Sequence, residues 1–438
     1  MRVRDRRFTV VGAGRSGLAA ANALASRGAD VRLVDDNPTR ERPDSLDPAV
    51  AFETSTHAPR PGDVAVLSPG IKEVSPIRAE IAALASEVIG EVELFFRLCP
   101  APILAVTGTD GKSTVTTMLG AIMAETGVHT FTGGNLGNPL CEGLDELTSD
   151  SVVVAEISAF QLTTCVTFRP RVAVLTNIAE DHIDYHGSFE AYQAAKRHIS
   201  AFMTDEDALV LNADDRHITA WTLPDAPKRI SFGLDKDAYA HLRGRTLTLG
   251  QQGLMAADEL QLLGQHNIAN ALAAAAAAEC FGVPLPTIRR ALAGYRALPH
   301  RLCIAATIRG NRWINDSKAT NANAAAAGLT AVEEPVVLLA GGSDKQADFH
   351  HLGALIRARC EAVVLFGQTR RQLAAAIGDG HPVHLVETLA QAVSVADSLT
   401  RDGRAWNILL SPACASFDQF KSYAHRGEVF EKLVAQLA

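Results

Sequence analysis

Val106-Thr107-Gly108-Thr109-Asp110-Gly111-Lys112-Ser113-Thr114 is the stretch that decides the fold. It follows the apolar run Ile103-Leu104-Ala105-Val106 and precedes a helical pattern from Thr116 to Met123, so it reads as the joint between a strand and a helix. Glycines at 108 and 111 let backbone N–H groups turn inward, and the start of the following helix favours an anion. Lys112 then suits the β- and γ-phosphates of a nucleoside triphosphate, and Ser113 suits Mg²⁺. The usual phosphate-loop pattern has a glycine where this chain has Val106; the form present is the shorter T-G-T-x-G-K-[ST]-T. Correct flanking by strand and helix favours an ATP-binding loop over a chance Gly-Lys-Ser-Thr on the surface.

Outward from this loop the same alternation continues. Ser151 to Ile157 and Val172 to Asn177 are near-continuous apolar runs, as expected of strands buried on both faces of a parallel sheet. Upstream, Phe8–Val11, Val31–Val34 and Val64–Leu67 read as strands, with a helix over Ser16–Arg27. Downstream, Trp313–Asn315, Val336–Ala340, Val363–Phe366 and Ile408–Ser411 read as strands with helices between them. Cys99-Pro100-Ala101-Pro102 has linker character and puts a boundary near residue 93; Tyr295-Arg296-Ala297-Leu298-Pro299 marks a second. The expectation is a three-domain α/β chain: 1–92 Rossmann-like, 93–298 a central P-loop ATPase-like domain with a mostly parallel sheet, and 299–438 Rossmann-like. The seven alanines and one leucine from Ala271 to Ala278 suit a tightly packed helix.

Composition narrows the function classes. With 438 residues, a net charge of −8 and 47% hydrophobic residues, the chain is an ordinary soluble protein with no nucleic-acid surface. Seven cysteines with no C-x-x-C suit free thiols in a reducing compartment, hence a cytoplasmic location. No apolar run reaches the roughly 18 residues of a membrane helix. The apolar stretch after the basic N-terminus is too short for a signal peptide and runs into a glycine turn. A monomer with small-molecule substrates is expected.

Several polar groups then fall at strand ends. Gly12-Ala13-Gly14-Arg15-Ser16-Gly17 opens a helix, with Asp35 and Asp36 following at the end of the next strand, a fingerprint for a dinucleotide or another nucleotide diphosphate. Both readings stay open on spacing alone. Glu156 closes a strand beside the phosphate loop, well placed for Mg²⁺; Ser158 and Gln161 could meet polar substrate groups. Asn177 to His186 concentrates ionisable groups, His182 among them, after the next strand, and Lys196 follows on a helical segment. Asn267 and Asn270 lie three apart on one helix face, with donors and acceptors that suit an adenine edge. Pro299-His300-Arg301 and Asn315-Asp316-Ser317-Lys318 add a phosphate-reaching arginine and an acid.

Taken in this order, these motifs resemble the Mur ligase family, the ATP-dependent amide-forming enzymes of bacterial cell-wall precursor synthesis, over essentially the whole chain. Leu410-Ser411-Pro412-Ala413-Cys414-Ala415-Ser416-Phe417-Asp418-Gln419-Phe420 and Gly341-Gly342-Ser343-Asp344-Lys345-Gln346-Ala347-Asp348-Phe349 are similar to the branch that joins D-glutamate to UDP-N-acetylmuramoyl-L-alanine. The resemblance implies that Gly108, Thr109, Asp110, Gly111, Lys112, Ser113 and Thr114 hold the ATP phosphates. It implies one Mg²⁺ on Ser113 and Glu156 and a second served by His182 and a carbamylated Lys196, with Lys112, Glu156, His182 and Lys196 catalytic. Asn267 and Asn270 would face adenine, and Arg301 and Asp316 the ribose and phosphates. Gly14, Arg15, Ser16, Asp35, Gly70 and Asn135 would line the UDP-sugar site, and Lys345, Ser416 and Phe417 would hold the glutamate. The chain departs from the family in carrying Asp110 where asparagine is common, and in lacking a basic residue within Asp35-Asp36-Asn37.

The implied reaction is attack of the UDP-sugar's alanyl carboxylate on the γ-phosphate, then attack of the glutamate amine on the acyl phosphate. Bringing glutamate from the third domain to the middle one implies a closure step. An oxidoreductase using the N-terminal fingerprint would leave residues 106–114 unexplained. A ligase using L-glutamate or another amino acid would keep every ATP residue, and a nucleotide sensor would bind without turnover.

Overall fold

The computed structural model describes residues 3–72, 75–234, 237–262, 264–296, 299–343 and 348–437. Three α/β sheets follow one another along the chain. The first has five parallel strands in the order Ala51–Thr54, Asp30–Asp35, Arg7–Val11, Val64–Leu67, Glu87–Gly90. Val64–Leu67 is buried at every position, as its unbroken apolar run requires. Val11 pairs with Val34 on one side and Leu67 on the other, so the glycine loop, Asp35 and Ser68 emerge at the same edge. That edge, at the carboxyl ends of the strands, is where open α/β sheets take ligands.

The second sheet has nine strands. Thr130–Gly134, Val152–Glu156, Ile103–Thr107, Val172–Leu175, Ala208–Asn212, Lys228–Phe232 and Ala240–Arg243 lie side by side and parallel. Thr246–Leu249 and Gln252–Ala256 then extend the edge antiparallel. Ile103–Thr107 is central and wholly buried; Val106 stands opposite Glu156 on one neighbour and Val174 on the other. The third sheet has six strands, in the order Cys303–Ile308, Asn311–Asn315, Asn407–Leu410, Val336–Gly341, Cys360–Phe366, Val383–Leu385. All its pairings are parallel except that of the first two strands.

The chain gathers into two compact units, residues 1–260 with 268–295, and residues 261–267 with 296–438. Within the first unit, the helix Glu91–Leu98 ties the first sheet to the second. Glu93 is fully buried there, and its carboxylate accepts from the backbone N–H groups of Val166 (2.9 Å) and Thr167 (3.0 Å) and from Arg97 Nε (2.7 Å). These donors hold its pKa below the usual carboxylate range although burial opposes them. Glu91 accepts from Cys141 N at 2.7 Å, and burial pushes its pKa up to about 7. The helix Gln265–Cys280 carries the alanine run, and every residue from Ala271 to Ala278 is completely shielded from solvent. All seven cysteines are free thiols. Among the described residues no helix is long and apolar enough to cross a membrane.

Candidate active site

The phosphate loop is built by backbone geometry. Gly111 caps the helix Lys112–Glu125 in the left-handed region at φ +78°, and Gly108 turns the chain at φ +148°. Neither position has room for a side chain: a Cβ on Gly108 would collide with Thr176 Oγ1, and one on Gly111 would lie 2.5 Å from Asn270 Oδ1. Lys112 Nζ donates to Thr109 O at 2.6 Å, so the ammonium folds back over its own loop. The loop is also held from the side. Asn177 accepts from Asp110 N (2.8 Å) and donates to Asp110 O (3.1 Å), Thr176 Oγ1 donates to the same carbonyl (2.6 Å), and Thr109 and Tyr192 hydroxyls meet at 2.9 Å. Asp110 is therefore fixed through its backbone.

Glu156 ends its strand buried, one position from the loop by register. Asn135 Nδ2 donates to its Oε1 at 2.6 Å, while Oε2 is buried with no hydrogen-bond partner among the described residues. A buried carboxylate oxygen without a donor is costly unless a cation meets it, so the site fits a hard divalent ion. Lys196 is likewise buried, with Nζ 2.5 Å from Gly108 O and 4.7 Å from the Tyr192 ring centre. Burial, and then the nearby Lys112 ammonium, push its pKa well below the ordinary lysine range; Asp181, Asp110 and Glu156 pull the other way. His182 sits in the left-handed region at φ +53°, half-exposed, 3.4 Å from the Asp181 carboxylate and against the Phe160 ring at 4.7 Å. Among the described residues no three His, Cys, Asp or Glu side chains gather in metal-holding geometry. Ser158 and Gln161 cap each other at the start of the short helix Ala159–Leu162, so their polar groups are spent locally.

The glycine loop of the first sheet is equally constrained. Gly12 has φ +97°, a Cβ on Gly17 would run into the Gly12 carbonyl, and the space over Gly14 is open. Buried Asp35 accepts from Ala13 N at 2.8 Å, so the acid braces the loop. Arg40 comes to 3.5 Å from Asp35. Ser16 is half-buried on the first turn of the helix Arg15–Ala25. Tyr185 Oη donates to Pro69 O (3.0 Å) and Ile71 O (2.8 Å), holding the Gly70 turn. Exposed Arg15 lies against the 134–138 loop that bears Asn135, near Gly137 and 3.9 Å from Glu142.

Asn267 and Asn270 are both buried on the helix Gln265–Cys280. In the second unit, Asp316 is buried, accepts from Ser411 Oγ at 2.7 Å, and is pushed up to about 7 by burial, with Arg301 drawing it back down. Ser416 is buried, and Phe417 beside it is 70% exposed, an apolar ring left in solvent. Arg426, completely buried, donates to Cys414 O, Ala415 O and Ser317, and so fixes the backbone before Ser416. Lys345 lies outside the described residues, with Asp344, Gln346 and Ala347. Sequence reasoning did not single out Asn177, Tyr192, Arg40 or Arg426. Only Asn177, at the head of a polar cluster after a strand, carried a local signal.

Comparison with known proteins gives the relationships. Residues 106–278 match the Mur ligase middle domain and residues 300–414 the Mur ligase, glutamate ligase domain. The chain is 37% identical to the UDP-N-acetylmuramoylalanine--D-glutamate ligase of Acidobacterium capsulatum, over 99% of this chain and 97% of that protein. It is also 37% identical to the ligase of the same name from Pelotomaculum thermopropionicum, over 99% and 98%. Among solved structures it shares its fold with the MurF ligase of Thermotoga maritima in complex with ADP (TM-score 0.62, 15% identity, 100% and 96% covered). The UDP-N-acetylmuramate-alanine ligase of the same organism is similarly related (TM-score 0.61, 20% identity, 99% and 100% covered).

Proposed function

The chain belongs to the Mur ligase family, and on that premise we propose that it joins D-glutamate to UDP-N-acetylmuramoyl-L-alanine at the expense of ATP, in peptidoglycan precursor synthesis. The observation that carries the chemistry is a lysine-bearing phosphate loop set beside a buried carboxylate with one unpartnered oxygen, Glu156. We divide the labour among residues 1–92 for the UDP-sugar, 93–298 for ATP and 299–438 for glutamate, in a monomeric cytoplasmic enzyme.

Backbone N–H groups of Gly108 to Thr114 and the Lys112 ammonium hold the triphosphate and offset charge as the γ-phosphoryl moves to the alanyl carboxylate. Ser113 and Glu156 would hold one Mg²⁺, and His182 and Lys196 would serve a second. Bound there, such ions would neutralise charge along the phosphates. As a protonated amine Lys196 would repel a cation, and burial disfavours that form. The neutral amine can add CO₂, losing a proton, to give a carbamate whose oxygens suit Mg²⁺. In this reading Asn267 and Asn270 are assigned to adenine, and Arg301 and Asp316 to the ribose and phosphates. Gly14, Arg15, Ser16, Asp35, Gly70 and Asn135 take the UDP-sugar, and Lys345, Ser416 and Phe417 the glutamate. The glutamate amine then attacks the acyl phosphate carbon, forming the amide C–N bond and expelling inorganic phosphate.

The test is phosphate release from ATP with UDP-N-acetylmuramoyl-L-alanine, comparing D-glutamate, L-glutamate and no amino acid. Release dependent on D-glutamate, with a product heavier by one glutamyl residue, is expected. Release only with L-glutamate would change the substrate and keep the mechanism; no release would overturn the ligase reading.

A further inference from the structure

We infer that Asn135 is a positioning residue for Glu156, and that through it the loop beside the UDP-sugar cleft sets the affinity of the ATP site for its metal–nucleotide complex. The proposal rests on the reading of Glu156 as a Mg²⁺ ligand. Asn135 makes two separate contacts with that residue: its side-chain amide donates to Oε1 at 2.6 Å, and its backbone N–H donates to the Glu156 carbonyl at 2.8 Å. The carboxylate is thus pinned at one oxygen, and the other, Oε2, is left buried and unpartnered. An amide N–H on Oε1 orients the carboxyl plane and leaves Oε2 to meet a cation.

The loop carrying Asn135 is stiff. Gly134 pairs with Glu156 across the parallel strands and takes φ +91°, a conformation in which a Cβ would strike the Glu156 carbonyl. Gly134 N donates to Asn138 O at 2.7 Å, and Gly137 N donates to Gly134 O at 3.1 Å, closing the turn on itself. The far side of that turn, at Gly137, faces the Arg15 guanidinium on the first sheet's nucleotide helix. Asn135 is solvent-exposed despite holding a buried partner, so a ligand in the UDP-sugar cleft can reach it. One short turn therefore touches both the acceptor cleft and the carboxylate that faces the metal. The backbone contact would form with any residue other than proline; the side-chain donor on Oε1 is what an asparagine serving only the acceptor cleft would not need.

The experiment is calorimetric titration of the whole protein with a non-hydrolysable ATP analogue, without UDP-sugar, at saturating Mg²⁺ and again in EDTA. Asn135→Ala removes the donor; Asn135→Leu removes it while keeping the bulk, and the titration in EDTA shows whether each variant is folded. Each is expected to weaken the magnesium–nucleotide complex about 10-fold or more, with metal-free affinity unchanged. Glu156→Gln, titrated in parallel, separates the two claims. If Glu156→Gln loses magnesium-dependent affinity and the Asn135 variants keep it, the positioning role is overturned and Asn135 is an acceptor contact alone. If Glu156→Gln keeps it, the metal-ligand reading beneath the proposal fails instead.

Discussion

Single residues in this protein are informative where burial and charge disagree. Lys196 is an amine in a site that disfavours its ammonium form. Incubation with ¹³C-bicarbonate is expected to give a lysine carbamate resonance in the wild type that is absent from Lys196→Ala; equal spectra would remove the modification from the scheme. Glu156→Gln keeps the shape and the Asn135 contact but removes the charge, and turnover should drop by about 100-fold or more, measured as kcat at saturating Mg²⁺. Asp316 makes a prediction about stability. Its folded pKa is about 7 against an ordinary 3.8, so the folded chain holds this proton more tightly than the unfolded one. Its contribution to stability is therefore greatest below about pH 4, falls as pH rises to about 7, and is level beyond. Asp316→Asn cannot ionise, so its melting temperature relative to wild type should rise between pH 5 and pH 8. A gap that does not change with pH would mean that Asp316 is not held protonated by burial.

At the scale of elements, what could be read in advance follows from how much of the determinant is local. Central strands such as Ile103–Thr107 and Val172–Leu175 announce themselves because burial on both faces demands an unbroken apolar run. Glu87–Gly90, Thr130–Gly134 and the edge strands from 240 to 256 do not, since they are short, rich in threonine, glycine or charge, and are made strands by their neighbours. The turn through Gly108 and Gly111 was legible for a similar reason: both glycines are required by the local backbone. Its clamp by Thr176 and Asn177 was not, because it joins positions 66 and 67 residues apart. Gly111→Ala puts a methyl group into both a left-handed conformation and the Asn270 amide; a loss of about 1–3 kcal/mol in denaturant unfolding is expected, together with weaker nucleotide binding. A fully stable, fully binding variant would contradict the geometry described for this loop.

At the scale of the whole molecule, the chain gathers into two compact units. Two thermal transitions are expected rather than one, and UDP-N-acetylmuramoyl-L-alanine should raise only the transition of the unit that carries the first two sheets, by mass action. A single transition, or a shift of both, would show that the units unfold as one. Across the chain, the order of motifs was enough to read a succession of α/β sheets. The roles of buried polar groups such as Glu93 and Arg426, whose partners lie far along the sequence, were not. The alanine helix at the heart of the first unit has a consequence for mutational scanning. Its eight shielded positions, 271 to 278, leave no solvent path for added bulk, and the run begins next to Asn270, whose side chain lies against Gly111. A saturation library there should tolerate little beyond glycine and serine at the alanines, and slightly oversized variants should report themselves as poor ATP users before they report themselves as unstable. A tolerance map taken at face value would mark this rod of methyl groups as a nucleotide-binding determinant, although none of those side chains is assigned to the nucleotide.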